Sequence, residues 1–288
     1  MAEQKDKTIL YKKEGKVARI TLNRPEKLNA MNQEMMGDLI AAIDEVEKDD
    51  DVSVVIINAA GQSFSSGFDL EMVYFIYGGG TGKPGERRPS QRARLHLDSW
   101  MLECFRRILY CWKPTICQVH GHCIGGGLYL ATACDITIAA EDALIGHPEQ
   151  RLAFAGATFM LIPQILLMGQ KKTRELLLTG KLISGTEAEQ INYVNYAVPG
   201  DQLETEVEKM AKTICLMPKD AIAVGKMQTR LAYDRLGFSD NMTQAFVGHS
   251  FATSIRFEDD EYNFLKGRRE KGTRTAFHER DDRYTGLV

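Results

Sequence analysis

Three consecutive glycines, Gly125-Gly126-Gly127, stand between a β-prone run, Thr115 to Val119, and a segment of helical spacing that continues to about Cys134. Lacking side chains, they let the backbone approach a ligand or a neighbouring element closely. A helix that opens there also presents N–H groups with no intrahelical acceptor, a favourable place for negative charge. A phosphate loop would need G-x-x-x-x-G-K-[ST], but no lysine follows these glycines, and the spacing is not G-x-G-x-x-G either. An oxyanion site remains. Close packing of helix on sheet also remains, and the glycines alone do not separate the two.

The chain before this point alternates strands and helices. Thr8 to Leu22 reads as a hairpin turning at Glu14-Gly15. Asn32 to Lys48 places Met35, Met36, Leu39, Ile40, Ile43 and Val46 at helical spacing, with Asn32 as N-cap. Val52 to Asn58 is a short β-branched run, typical of a strand buried on both faces. Phe64 to Asp69 follows as a loop, and Tyr74 to Gln91, rich in Gly, Pro and Arg, reads as a long loop of the kind that is functional or mobile. Leu95 to Trp112 is helical, and Asp135 to Ala139 is a strand.

Beyond Phe154 the pattern turns mostly helical, over Lys171 to Thr179, Thr186 to Asn192, and Leu203 to Ala232 with a break at Pro218. Thr186-Glu187-Ala188-Glu189 has capping-box spacing. The tail beyond Lys271 is charged and either wraps a neighbouring subunit or frays. The order predicts an α/β core, residues 1–202, followed by a helical region, residues 203–288.

Composition narrows the function classes. Of 288 residues, 44% are hydrophobic and 26% charged, ordinary for a globular chain. A net charge of −3 leaves no broad nucleic-acid footprint, and no apolar run is long enough to span a bilayer. The polar N-terminus has no signal-peptide core. The six cysteines form no C-x-x-C pair and read as inert thiols in a reducing, cytoplasmic setting, Cys123 beside the glycines included. No metal site is expected.

Five segments in order carry a resemblance: Arg24-Pro25-Glu26-Lys27-Leu28-Asn29-Ala30-Met31, Phe64 to Met72, His120 to Ala131, Ile145-Gly146-His147-Pro148-Glu149, and Leu182 to Ala188. Together, and over about residues 8–268, the chain resembles the enoyl-CoA hydratase/isomerase (crotonase) family. The resemblance implies a spiral of ββα units with a helical C-terminal trimerisation region, assembled as a homotrimer or homohexamer. It implies an acyl-CoA substrate, whose coenzyme A is part of the substrate, with no further cofactor. It also assigns the oxyanion donors to the N–H groups of Phe68 and Gly126. Two preorganised donors favour a thioester enolate, and losing one typically costs about 100- to 1,000-fold in rate.

By the same resemblance, typical hydratases of the family carry two glutamates. One corresponds to Glu149; the other position holds Tyr129, which is no carboxylate base at neutral pH. Glu149 is therefore the expected acid/base. Tyr129 either donates a hydrogen bond in the site or fills the vacated space. His147 and His122 are expected to be structural or solvent-facing. The coenzyme handle is expected at Lys27, Leu28 and Ala30, with the adenine beside Ser66, Asp69 and Leu70. Asp69 itself reads as a turn or capping residue. A neighbouring subunit is expected to add Phe264 and a cation at Lys266 or Arg268. Hydration of a carbon–carbon double bond stands first, as the family's commonest activity, with double-bond isomerisation second. Hydrolysis of the acyl-CoA and silent CoA-ester binding follow. Tyr74, Phe75, Tyr77, Phe154 and Phe159 suggest a shaped acyl pocket.

Overall fold

The computed structural model describes residues 7–77, 89–152, 158–251 and 257–288. The hairpin forms as expected: β1 (Ile9–Glu14) pairs antiparallel with β2 (Val17–Leu22). β3 (Val54–Ala59) then runs parallel to β2, with Val17 beside Val54 and Leu22 beside Ala59. β4 (Thr115–Val119) is the next parallel strand.

Short strand β5 (His122–Ile124) leaves this sheet and opens a second one, and β6 (Ile136–Ala140) returns to the first. β7 (Leu144–Gly146) and β8 (Ile183–Ser184) join β5, and β9 (Tyr196–Val198) joins β6. The result is a six-stranded sheet in the order β1-β2-β3-β4-β6-β9 beside a three-stranded sheet β5-β7-β8. Val54 to Ile57 are fully buried, as a continuous apolar run requires. Each such side chain stabilises the fold by roughly 1.5–3 kcal/mol.

The helices cover the sheets. α1 (Gln33–Lys48) starts where Asn32 accepts the Met35 N–H, and it buries the predicted Met35, Met36, Leu39, Ile43 and Val46. α2 (Leu70–Tyr77) corrects the loop expected from Tyr74, whose remainder, 78–88, lies outside the described residues. Leu70 to Tyr77 holds no glycine or proline, so the loop signal belongs only to the residues after it. α3 (Gln91–Leu109) begins four residues earlier than its periodicity suggests, because Ser90 caps it through the Ala93 N–H. α4 (Gly126–Ala133) opens on the glycine run.

α5 (Leu161–Thr179) contains a break at Gly169. α6 (Gly185–Gln190) does have a capping box, but Ser184 and Glu187 build it, two residues before the expected start. α7 (Leu203–Cys215) and α8 (Lys219–Arg235) are split at Pro218, as expected, and α9 (Phe238–Phe251) follows. α10 (Phe264–Lys271) and α11 (Thr273–Asp282) form the tail. The tail does not fray. Phe264, Leu152 and Ala276 make a small buried cluster with Phe277, which draws α10 and α11 onto their own chain. No helix among the described residues is long and apolar enough to cross a membrane.

Candidate active site

A cleft of about 600 Å³ opens where the glycine run meets the Phe64–Asp69 loop. Gly125 has a positive φ of 52°, and a Cβ there would sit 2.5 Å from Glu149 Oε1. The positive φ favours glycine, and any Cβ there would displace the carboxylate beside it. Gly126 is the first residue of α4, so its N–H has no intrahelical acceptor.

The facing turn is held in register by the pairs Met31 N–H to Gly67 O (2.8 Å) and Asp69 N–H to Met31 O (2.9 Å). That pairing uses the groups on either side of Phe68 and not its own N–H. A Cβ on Gly67 would come within 3.6 Å of the Gly126 nitrogen, which shows how closely the two turns approach. The structure thus brings the two expected donors, Phe68 and Gly126, to one place.

Glu149 projects from the 3-10 turn Pro148–Leu152 and also lines the cleft. Its side chain is 18% exposed. His147 Nδ1 lies 3.3 Å from its Oε1, while Oε2 is buried with no hydrogen-bond partner among the described residues. A buried carboxylate oxygen left unpaired by the protein is an uncommon arrangement that points to a missing partner.

Contrary to the solvent-facing option, His147 is buried; Gln164 Nε2 lies 2.6 Å and the Tyr193 hydroxyl 3.3 Å from its Nε2. Tyr129 is 2% exposed, with its ring 5.0 Å from His147, 5.6 Å from Phe105 and 5.5 Å from Phe159. It occupies an aromatic stack and forms part of the cleft wall. His122 is half-buried, shares a hydrogen bond with Ser63 Oγ (3.0 Å), and reaches the cleft.

At the other end, Lys27, Leu28, Ala30, Ser66, Asp69 and Leu70 all line the cleft. Asn29 fixes this turn. Its amide nitrogen donates to Ala60 O (2.7 Å) and Ser63 O (2.8 Å), and its oxygen accepts the Arg24 N–H. Arg24 pairs with Asp69 at 3.0 Å, and Asp69 also accepts the Glu71 N–H, which confirms the turn role read from the sequence.

Phe264 and Lys266 are not brought to this cleft within the chain: Phe264 is buried beneath Phe277, and Lys266 lies on the exposed face of α10. The wall is instead made by Arg268, Thr273, Phe277 and Arg280 of the same chain. Arg268 donates to Leu70 O at 2.9 Å. Phe159 joins the aromatic stack, Phe154 lies outside the described residues, and nothing is described of the Tyr74, Phe75 and Tyr77 side chains.

The family model for enoyl-CoA hydratase/isomerase matches residues 12–253. The chain belongs to the enoyl-CoA hydratase/isomerase family of enzymes. Its fold agrees. The crystal structure of an enoyl-CoA hydratase/isomerase from Xanthobacter autotrophicus Py2 superposes with a TM-score of 0.84 at 34% identity, covering 96% of this chain and 98% of that one. A short-chain-enoyl-CoA hydratase of Clostridium acetobutylicum is 31% identical over 81% of this chain and 88% of its own length. A peroxisomal Δ(3,5)-Δ(2,4)-dienoyl-CoA isomerase of Arabidopsis thaliana is 34% identical over 63% of this chain and 65% of its own. Both hydratases and isomerases therefore stand among the relatives of this enoyl-CoA hydratase/isomerase family member.

Sequence reading missed one pair in the family member's cleft. Asp98 of α3, fully buried, holds His249 Nδ1 of α9 at 3.1 Å, and His249 reaches the cleft wall beside Phe159. The two are 151 positions apart, so no local pattern announces them. The buried thiols behave as expected. Burial pushes Cys104 and Cys111 up to about 12 and Cys123 higher still, so none is a ready nucleophile. No cluster of metal-binding side chains occurs among the described residues.

Proposed function

We propose that this enzyme adds water across a carbon–carbon double bond of an enoyl-CoA, with Glu149 as its acid/base. The observation that carries the reading is the Glu149 carboxylate set against the oxyanion turn, with Oε2 buried and unpartnered among the described residues. In this mechanism the thioester oxygen lies between the N–H groups of Phe68 and Gly126. Glu149 takes a proton from water, the hydroxyl bonds to the β-carbon, and the double-bond electrons pass to the enolate oxygen. The protonated Glu149 then returns that proton to the α-carbon, so one carboxylate serves both halves.

The coenzyme handle runs past Lys27, Leu28 and Ala30 with its adenine near Ser66, Asp69 and Leu70. Arg268, one of the two cations first expected, supplies the positive charge together with Arg280, because these are the cations of the tail that reach the cleft. Phe264 supports that wall from behind.

A second reading, double-bond isomerisation, is favoured by Tyr129. A proton shuttled between two carbons needs one carboxylate and no second group to hold water. Incubation with 2-enoyl-, 3-enoyl-, cyclic and aromatic CoA esters separates the readings by product mass. A gain of one water supports hydration; an unchanged mass with a moved double bond supports isomerisation. Free CoA supports hydrolysis, and binding without turnover refutes all three.

The same chain is proposed to assemble as a homotrimer or homohexamer through its helical region, residues 203–288. Val224, Met227 and Leu231 form an exposed stripe on α8, continued by Leu216, Met217 and Leu236 at its ends.

A further inference from the structure

The Ile145–Glu149 segment holds a histidine that the hydration chemistry does not use. His147 and Glu149 flank Pro148, and the 3-10 turn that begins there directs both side chains to the same side. Two further buried polar groups, Tyr193 and Gln164 of α5, both meet the Nε2 side of His147. Within α5, Thr173 Oγ1 donates to Gln164 O at 3.1 Å across the break at Gly169.

The tautomer of a neutral imidazole here follows from which end of the Gln164 amide faces it. Such a ring carries a single N–H. Its Nε2 faces the Gln164 amide nitrogen at 2.6 Å and the Tyr193 hydroxyl at 3.3 Å. With the Gln164 amide assigned so that its nitrogen faces the ring, that nitrogen donates and Nε2 accepts. The ring proton then sits on Nδ1, where it faces Glu149 Oε1 at 3.3 Å. This is the one hydrogen bond that the Glu149 side chain makes among the described residues, and it leaves Oε2 as the oxygen without a partner.

We infer that His147, held in its Nδ1–H form by Gln164, is a positioning residue that pins Glu149 Oε1 and so fixes the carboxylate beside the oxyanion turn. The inference rests on Glu149 being the acid/base. It assigns His147 no proton transfer of its own. Its work is geometric: a carboxylate free to rotate about its side-chain torsions spends less time in the reactive pose, and a misplacement of about 1 Å can cost about 100-fold. Gln164 acts only through His147, because it selects which ring nitrogen carries the proton.

The test is a double-mutant cycle on the full-length enzyme, with Glu149→Gln run alongside. His147→Phe keeps the ring volume and removes the donor. Its kcat should fall about 10- to 100-fold with KM changed by no more than about threefold. His147→Asn places an amide nitrogen near the lost Nδ1–H and should recover most of that loss. Gln164→Leu should slow the wild type about 3- to 10-fold and should not slow His147→Phe further, since the two residues act in series.

Wild-type kcat in folded His147→Phe, or a Gln164→Leu effect that multiplies fully with it, would overturn the inference. So would His147→Asn no faster than His147→Phe. If His147→Phe does not fold, the Gln164→Leu and His147→Asn kinetics decide the matter: a slowed Gln164→Leu beside a near-normal His147→Asn supports the inference, and any other pairing overturns it. Full activity in Glu149→Gln would instead remove the underlying reading, an outcome distinct from failure of the relay.

Discussion

The spiral core and the C-terminal helices are built to different standards of burial. β3 and β4 are covered on both faces, and α1 buries six side chains. α8 buries none, and Leu216 before it is 85% exposed. α7 lies between these extremes, burying Leu203, Val207 and Ala211. The core therefore closes its own hydrophobic surface, whereas the helices leave an amphipathic face open. The chemistry follows the same division. The proposed oxyanion turn and Glu149 belong to the core, and the C-terminal region adds His249, Arg268, Phe277 and Arg280 to the cleft wall.

Four experiments press on that contrast. The largest effect is expected in the core. Glu149→Gln should lower kcat about 100- to 10,000-fold, with CoA-ester affinity and the thermal transition nearly unchanged; steady-state kinetics and calorimetry read both. Wild-type turnover would move the chemistry elsewhere in the cleft.

Gly125→Ala should come next. Its Cβ would take the space of Glu149 Oε1, and the positive φ adds roughly 1–2 kcal/mol of strain. A kcat loss of about 10- to 100-fold together with a lowered Tm is the expected result. An unchanged kcat would mean that the carboxylate can work from another position.

In the helices the expected change is in assembly. Val224→Glu with Leu231→Glu should dissociate the proposed oligomer in sedimentation velocity. The fold of each chain should shift by no more than about 0.5 kcal/mol, as for most surface changes. An unaltered sedimentation coefficient would show that this face is not the interface.

The smallest effect concerns the buried thiols. Cys104 and Cys111 have thiols pushed from 9.0 up to about 12 in the folded chain. The unfolded chain ionises first, so this stabilising contribution is intact below about pH 9 and is lost progressively as pH rises toward 12. Each thiol steepens the fall by about 1.4 kcal/mol per pH unit inside that window. Urea titrations at successive pH values should show it, and Cys111→Ala should flatten the slope.

Much of the core was legible because its signals are local. Asn32 announces α1, the Val54–Ile57 run announces a buried strand, and Pro218 announces a break. The candidate site was legible where ordered motifs place residues, as at Phe68, Gly126 and Glu149. What escaped depends on partners far along the chain. β5, β7 and β8 are two or three residues long and exist through their pairing with one another. Asp98 meets His249, and His147 meets Gln164 and Tyr193, only after the helices pack. The fold of the tail escaped for the same reason. Its charge pattern is visible, but the Phe264–Phe277 contact that folds it back is not.

That folded-back tail has a consequence for heredity and dosage. Because Arg268, Phe277 and Arg280 wall the cleft of the chain that carries them, tail and Glu149 meet within one polypeptide. In a mixed population of wild-type and Glu149→Gln chains, activity should decline in a straight line with the fraction of altered chains. Two defective chains, one damaged in the tail and one at Glu149, should not rescue each other.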